Sequence, residues 1–185
     1  QAPSASSCVN IWTTIHMATA ADTFTAVQTL QTASAQNLSN MLGLVVYTPV
    51  QALPLLIVMN RFPGDPAVVE YVERYSKVAL SMLMHVETKD LVARRKNLDP
   101  SDPKVKDEAE NVVIRRTLVL ELLGKIIHLG HTAYARKILP LLRALDRQYM
   151  QMVGDNGDED VDGEQVGPKR HPGIVSLIRF CGDCL

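Results

Sequence analysis

The stretch Asp65–Lys96, DPAVVEYVERYSKVALSMLMHVETKDLVARRK, decides the fold. It follows the turn Pro63-Gly64-Asp65-Pro66, where two prolines fix φ and Gly64 accepts conformations closed to other residues. Asp65 is placed to cap a helix whose first position is Pro66. Beyond the cap, Val69, Val72, Val78, Leu80, Leu83 and Val86 fall largely on one side of a helix. Arg94-Arg95-Lys96 closes that helix and NLDPSDP turns the chain.

Working toward the C-terminus, KVKDEAENVVIRRTLVLELLGKIIHLG carries Asp107, Glu108 and Glu110 early and Lys125 late, as the helix dipole favours. Gly130 punctuates it. HTAYARKILPLLRALDRQYMQMV then predicts a last helix, kinked or restarted near Pro140. Toward the N-terminus, LLIVMNRF is compatible with helix or strand, and Pro49 and Pro54 interrupt the pattern before it. Asp22 is expected to cap a long stretch in which Phe24, Val27, Leu30, Leu38, Met41 and Leu42 recur at helical spacing. The first dozen residues read as a flexible arm, with an apolar-periodic piece from Cys8 to Met17 that holds Trp12. The expected fold is all-α, an antiparallel up-and-down bundle of four to five helices. The bundle occupies residues 1–153; residues 154–185 form an acidic linker and a short apolar C-terminal segment.

A chain of 185 residues with 46% apolar side chains can bury a real core. Its net charge of −1 conceals a segregation. Residues 1–60 hold no Lys or Arg and one acid, Asp22; residues 61–153 hold 16 basic and 12 acidic side chains; residues 154–185 hold 3 basic and 7 acidic ones. The polar face of the segment after Asp22 is Thr, Gln, Ser and Asn, which suits contact with protein better than solvent. Cys8, Cys181 and Cys184 cannot make a disulfide framework, which points to a reducing, cytoplasmic setting. The start lacks the features of a signal peptide, and ALPLLIVM is too short to span a bilayer.

Several motifs invite chemistry. DEDVDG, with Asp158, Asp160, Asp162 and Gly163, matches the opening of a calcium loop, but the closing ligand position holds Lys169. A solvated acidic linker is the simpler reading. Cys181 and Cys184 have zinc half-site spacing with His171 upstream, yet only Cys8 or a distant histidine remains to complete four ligands. His128 and His131 stand three apart with Gly130 between them and no H-E-x-x-H context. No phosphate loop, nucleophile elbow or Cys–His–Asp set can be assembled. The chain is expected to be no enzyme and to need no metal or cofactor.

The arginine doublets Arg94-Arg95 and Arg115-Arg116 remain. With NLDPSDP turning the chain between them, both approach one end of the bundle. Guanidinium forks match phosphate oxygens, so such a patch holds a phosphate chain without reading bases. The competing reading pairs these arginines with Glu87, Asp90, Glu108 and Glu110.

NRFPGDP, HLGHTAYARKILPLL (with Tyr134 and Arg136 two apart) and Arg115-Arg116 occur in an order that resembles coat proteins of rod-shaped plant RNA viruses, the tobamovirus-like group and its tobravirus and benyvirus relatives. The likeness spans roughly residues 20–145 as order and spacing. It implies a virion protein of the host cytoplasm that stacks with copies of itself around single-stranded RNA. Arg94, Arg95, Arg115 and Arg116 would meet phosphates, and Arg61, Pro63 and Asp65 would form a structural turn in which Arg61 pairs with Asp65 or a neighbour's acid. The uncharged first third would then be buried between subunits without stranding ions. The alternative is a helical interaction module that binds a protein partner in a larger cellular assembly.

Overall fold

The computed structural model describes residues 5–34, 36–37, 40–41, 52–96, 98–154 and 170–185, with side chains described from Ile11 onward. The described residues form seven helices and no strand: α1 (Ala5–His16), α2 (Ala20–Thr32), α3 (Leu53–Arg61), α4 (Pro66–Arg95), α5 (Pro103–Gly130), α6 (Thr132–Gly154) and α7 (Pro172–Asp183). The fold is an all-α bundle.

Local chemistry sets most of the boundaries. Asp65 accepts from the amides of Ala67 (2.8 Å) and Val68 (3.4 Å), and Pro66 opens α4 as its sequence requires. Asp102 repeats this device before Pro103, accepting from Lys104 N at 2.9 Å. At α2 the cap is Thr19. Asp22, expected as the cap, is the third residue of a reciprocal capping box, its Oδ2 accepting from Thr19 N at 2.8 Å. The stretch LLIVMNRF resolves as helix, with Leu55 to Met59 all buried. The expected N-terminal arm is helical from Ala5.

Between α5 and α6 stands one residue, His131, at φ 43°. Its N–H reaches the Ile127 carbonyl at 2.8 Å. A Cβ on Gly130 would lie 2.1 Å from the Tyr134 ring, so this glycine is the close approach that lets the hairpin shut. Pro140 does not interrupt α6. Its missing N–H falls on the outward side, where both Pro140 and Arg136 are exposed, so solvent can serve the freed carbonyl.

Contacts fix the directions. Glu87 and Asp90 of α4 meet Arg116 of α5, and the two helices are joined by a short turn, so they run antiparallel. Glu73–Lys137 and Thr88–Met152 set α6 parallel to α4. Asp146–Arg170 and Thr132–Cys184 bring α7 back antiparallel to α6. Helices α4 to α7 thus alternate up and down, and α1, α2 and α3 close one end. There Lys125 lies over Trp12 of α1 at 5.0 Å, and the Tyr134 hydroxyl donates to the Met59 carbonyl of α3.

The core holds Tyr75, Leu83, Leu123, Ile126, Ile138 and Leu142, each fully buried. On α4 the buried stripe is Val68, Val72, Tyr75, Ala79, Leu83 and Val86; Val69 and Val78, expected inside, are half-buried on its flank. Phe24, also expected inside, is 67% exposed, because α2 turns Thr23, Ala26 and Leu30 inward instead. Leu38 and Leu42 lie outside the described residues. Helix α6 ends at Gly154. Beyond the intervening acidic sequence, α7 returns Ile174, Leu177 and Cys181 to the same core. No helix among the described residues is long and apolar enough to cross a membrane.

Candidate nucleic-acid interface at the arginine-rich end

The end opposite α1–α3 gathers the C-terminus of α4, the first half of α5 and the N-terminus of α7. Its organising group is a buried carboxylate. Glu87, 3% exposed, receives Arg116 Nε on Oε1 at 2.5 Å, Arg116 Nη2 on Oε2 at 2.9 Å and His171 Nε2 on Oε1 at 3.1 Å. Nδ1 of His171 accepts the amides of Gly173 (3.1 Å) and Ile174 (3.2 Å), so it carries no proton and Nε2–H donates to Glu87. His171 is therefore the N-cap of α7 and a ligand of Glu87 at once. Burial pushes the Glu87 carboxyl up, but hydrogen bonds from His171 and Arg116, with the Arg116 charge, outweigh it and hold the group at about 2. The same bond to Glu87 raises Arg116 above the ordinary guanidinium value.

Asp90 links this buried centre to the surface. Its Oδ2 accepts from Arg116 Nη2 at 2.9 Å and from Arg94 Nη2 at 2.7 Å, which sets the two arginine doublets side by side. The doublets differ in what they leave for a ligand. Arg116, 23% exposed, has its guanidinium spread over Glu87 and Asp90. Arg94 keeps a side chain 70% exposed despite its pair, and Arg95 and Arg115 are exposed. Arg116 thus takes a structural place rather than the phosphate contact expected of it, because a buried acid had to be neutralised. A second clamp lies beside it: Arg170 donates through Nε (2.9 Å) and Nη2 to Oδ2 of the buried Asp146.

The turn residues separate in the same way. Asp65 spends its carboxylate on the α4 amides, and among the described residues no ion pair involves Arg61, which ends α3 in the open. Pro63 is half-buried in the turn. The expected Arg61–Asp65 pair is not formed.

Among the described residues no three His, Cys, Asp or Glu side chains gather as a metal site. His128 and His131 approach as tilted rings with centroids 5.2 Å apart. Cys181 is buried, and that burial, helped by neighbouring Cys184, pushes its thiol up to about 11, far from a reactive thiolate. The DEDVDG segment lies outside the described residues. Sequence reasoning missed His171 and Glu87 as a pair. The one signal was His171 standing directly before Pro172-Gly173, a cap position that few would give to an imidazole.

No protein family, curated protein or solved structure matches the chain.

Proposed function

We propose that the chain is a self-assembling structural protein that packages single-stranded RNA in a helical capsid, a component of a virion formed in the host cytoplasm. Phosphates are met by Arg94, Arg95 and Arg115. The observation that supports this reading is the sharing of Asp90 by Arg94 and Arg116. One carboxylate holds the two doublets together, Arg116 neutralises the buried Glu87 and the half-buried Asp90, and the three remaining guanidiniums stay exposed on one end. Bonds to phosphate oxygens through planar forks hold a backbone without selecting bases, which is what packaging a whole genome demands. The first sixty residues hold one charged side chain, Asp22, so contacts between copies made there would desolvate few unpaired ions.

The test is single-stranded RNA binding across a salt series. For the wild type the logarithm of affinity should fall linearly with the logarithm of salt, by about 0.7 per phosphate contact. The triple variant R94A/R95A/R115A should bind more weakly with a slope smaller by about 2. An unchanged slope would remove these arginines from the interface.

A further inference from the structure

His131 stands where a histidine is costly. Its φ of 43° and ψ of −120° fall in the mirror image of the extended region, which glycine enters freely and a side chain resists. Among the described residues no other non-glycine has positive φ. Gly130 does not take this place, because it is needed one position earlier, as the last residue of α5 against the Tyr134 ring. What the turn achieves is to bring two imidazoles together. His128, in the last turn of α5, and His131, just past its end, are both exposed, and their ring centres lie 5.2 Å apart. The rings are tilted by 58°, neither offset-stacked nor edge-on as a pair held by ring contact prefers. Among the described residues neither ring makes a hydrogen bond or an ion pair, so each neutral ring offers a nitrogen lone pair to solvent. Neighbouring polar groups do not compete for them. Lys125, one turn earlier on α5, lies over the Trp12 ring at 5.0 Å, and the Thr132 hydroxyl donates to the Cys184 carbonyl.

Imidazole nitrogen suits zinc, copper and nickel. Two imidazoles on one zinc ion, at about 2.1 Å per nitrogen and a tetrahedral angle, put their ring centres roughly 5 Å apart. The observed separation meets that condition. We propose that His128 and His131 together bind one divalent transition ion of the zinc class, with water in its remaining positions. Among the described residues no third His, Cys, Asp or Glu side chain joins them, so the site is an open one and weaker than the closed four-ligand kind. The ion ties the last turn of α5 to the residue just beyond it. It thereby holds the hairpin in the backbone conformation that His131 resists on its own. This end of α5 is the one closed by α1–α3, away from Arg94, Arg95 and Arg115. The inference therefore stands or falls separately from the RNA reading.

Calorimetric titration of the full chain with zinc chloride near neutral pH, with magnesium chloride as the control, tests this. One zinc should bind per chain, and magnesium should give no binding heat. His128→Ala, at an exposed position, should weaken zinc binding by at least roughly tenfold. His131→Gly should do the same. Because glycine relieves the turn, its metal-free thermal midpoint should lie above that of the wild type, so a lost site there is not a folding defect. Zinc at a hundredfold excess over its Kd should raise the wild-type midpoint by roughly 5–10 °C and leave that of His131→Gly unmoved. His85→Ala, which removes an exposed histidine of α4, should bind zinc as the wild type does. A wild type that binds no zinc, binding that survives both His128→Ala and His131→Gly, or an equal loss in His85→Ala overturns the inference.

Discussion

Arg116 serves two carboxylates at once, and the cost of removing it is set by what stays behind. In R116A, Glu87 remains buried with only His171, and Asp90 with only Arg94. Breaking a buried pair costs about 3–5 kcal/mol. Because His171 stays on Glu87, the loss should sit near about 3 kcal/mol, the low end of that range, and urea unfolding reads it directly. Acid tests the same group. Glu87 titrates at about 2 in the fold against its ordinary 4.5. Its contribution is therefore complete above about 4.5 and fades as pH falls toward 2, on the order of 3 kcal/mol in all. In E87Q the part of the acid-induced loss that falls in this window should be absent. His131 offers the opposite sign. At φ 43° it occupies a region where a side chain costs on the order of 1–3 kcal/mol. Glycine gives back roughly 0.5–1 kcal/mol of that in chain entropy. H131G should raise the thermal midpoint; a lower one would mean the turn is unstrained.

At the scale of elements, α7 is the part whose attachment is most specific. Its N-terminus is capped by His171 and clamped through Arg170, its middle buries Ile174 and Leu177, and the carbonyl of its C-cap Cys184 accepts from the Thr132 hydroxyl. I174A leaves a cavity among fully packed neighbours and should cost about 2–5 kcal/mol. Hydrogen exchange should then show α7 opening before α4 and α5. Gly173 belongs to the same fit: a Cβ there would lie 2.4 Å from a Leu120 methyl. Much of this architecture was legible in the chain. Asp65-Pro66 announced α4, and the acids of α5 with the breaks at NLDPSDP and Gly130 announced the α4–α5–α6 order. What was not legible depended on distance. The pairing of Glu87 with an arginine doublet was one of two readings the chain allowed, and Arg116 makes it; the burial of Glu87 and its bond to His171, 84 residues away, were not legible. Apolar IVSLIRFCG was too short to reveal by itself which core it joins. Phe24 misled because periodicity names a stripe but not the partner, and the stripe facing α3 is the Thr-Ala-Leu one.

For the whole molecule, the described structure separates two differently charged ends of the bundle. Helices α1–α3 close one end with an almost uncharged surface, and the opposite end concentrates arginine around a neutralised buried acid. On the proposed reading, a polyanion bound at that end would stay clear of the neutral surface, so that copies could meet while RNA is held. Negative-stain microscopy with nuclease protection, on wild-type protein mixed with single-stranded RNA across pH and salt, tests this most directly. The account predicts rods or stacked discs whose RNA survives nuclease, and their loss in R94A/R95A/R115A. Protein that remains a dispersed monomer while the RNA is digested completely would contradict it.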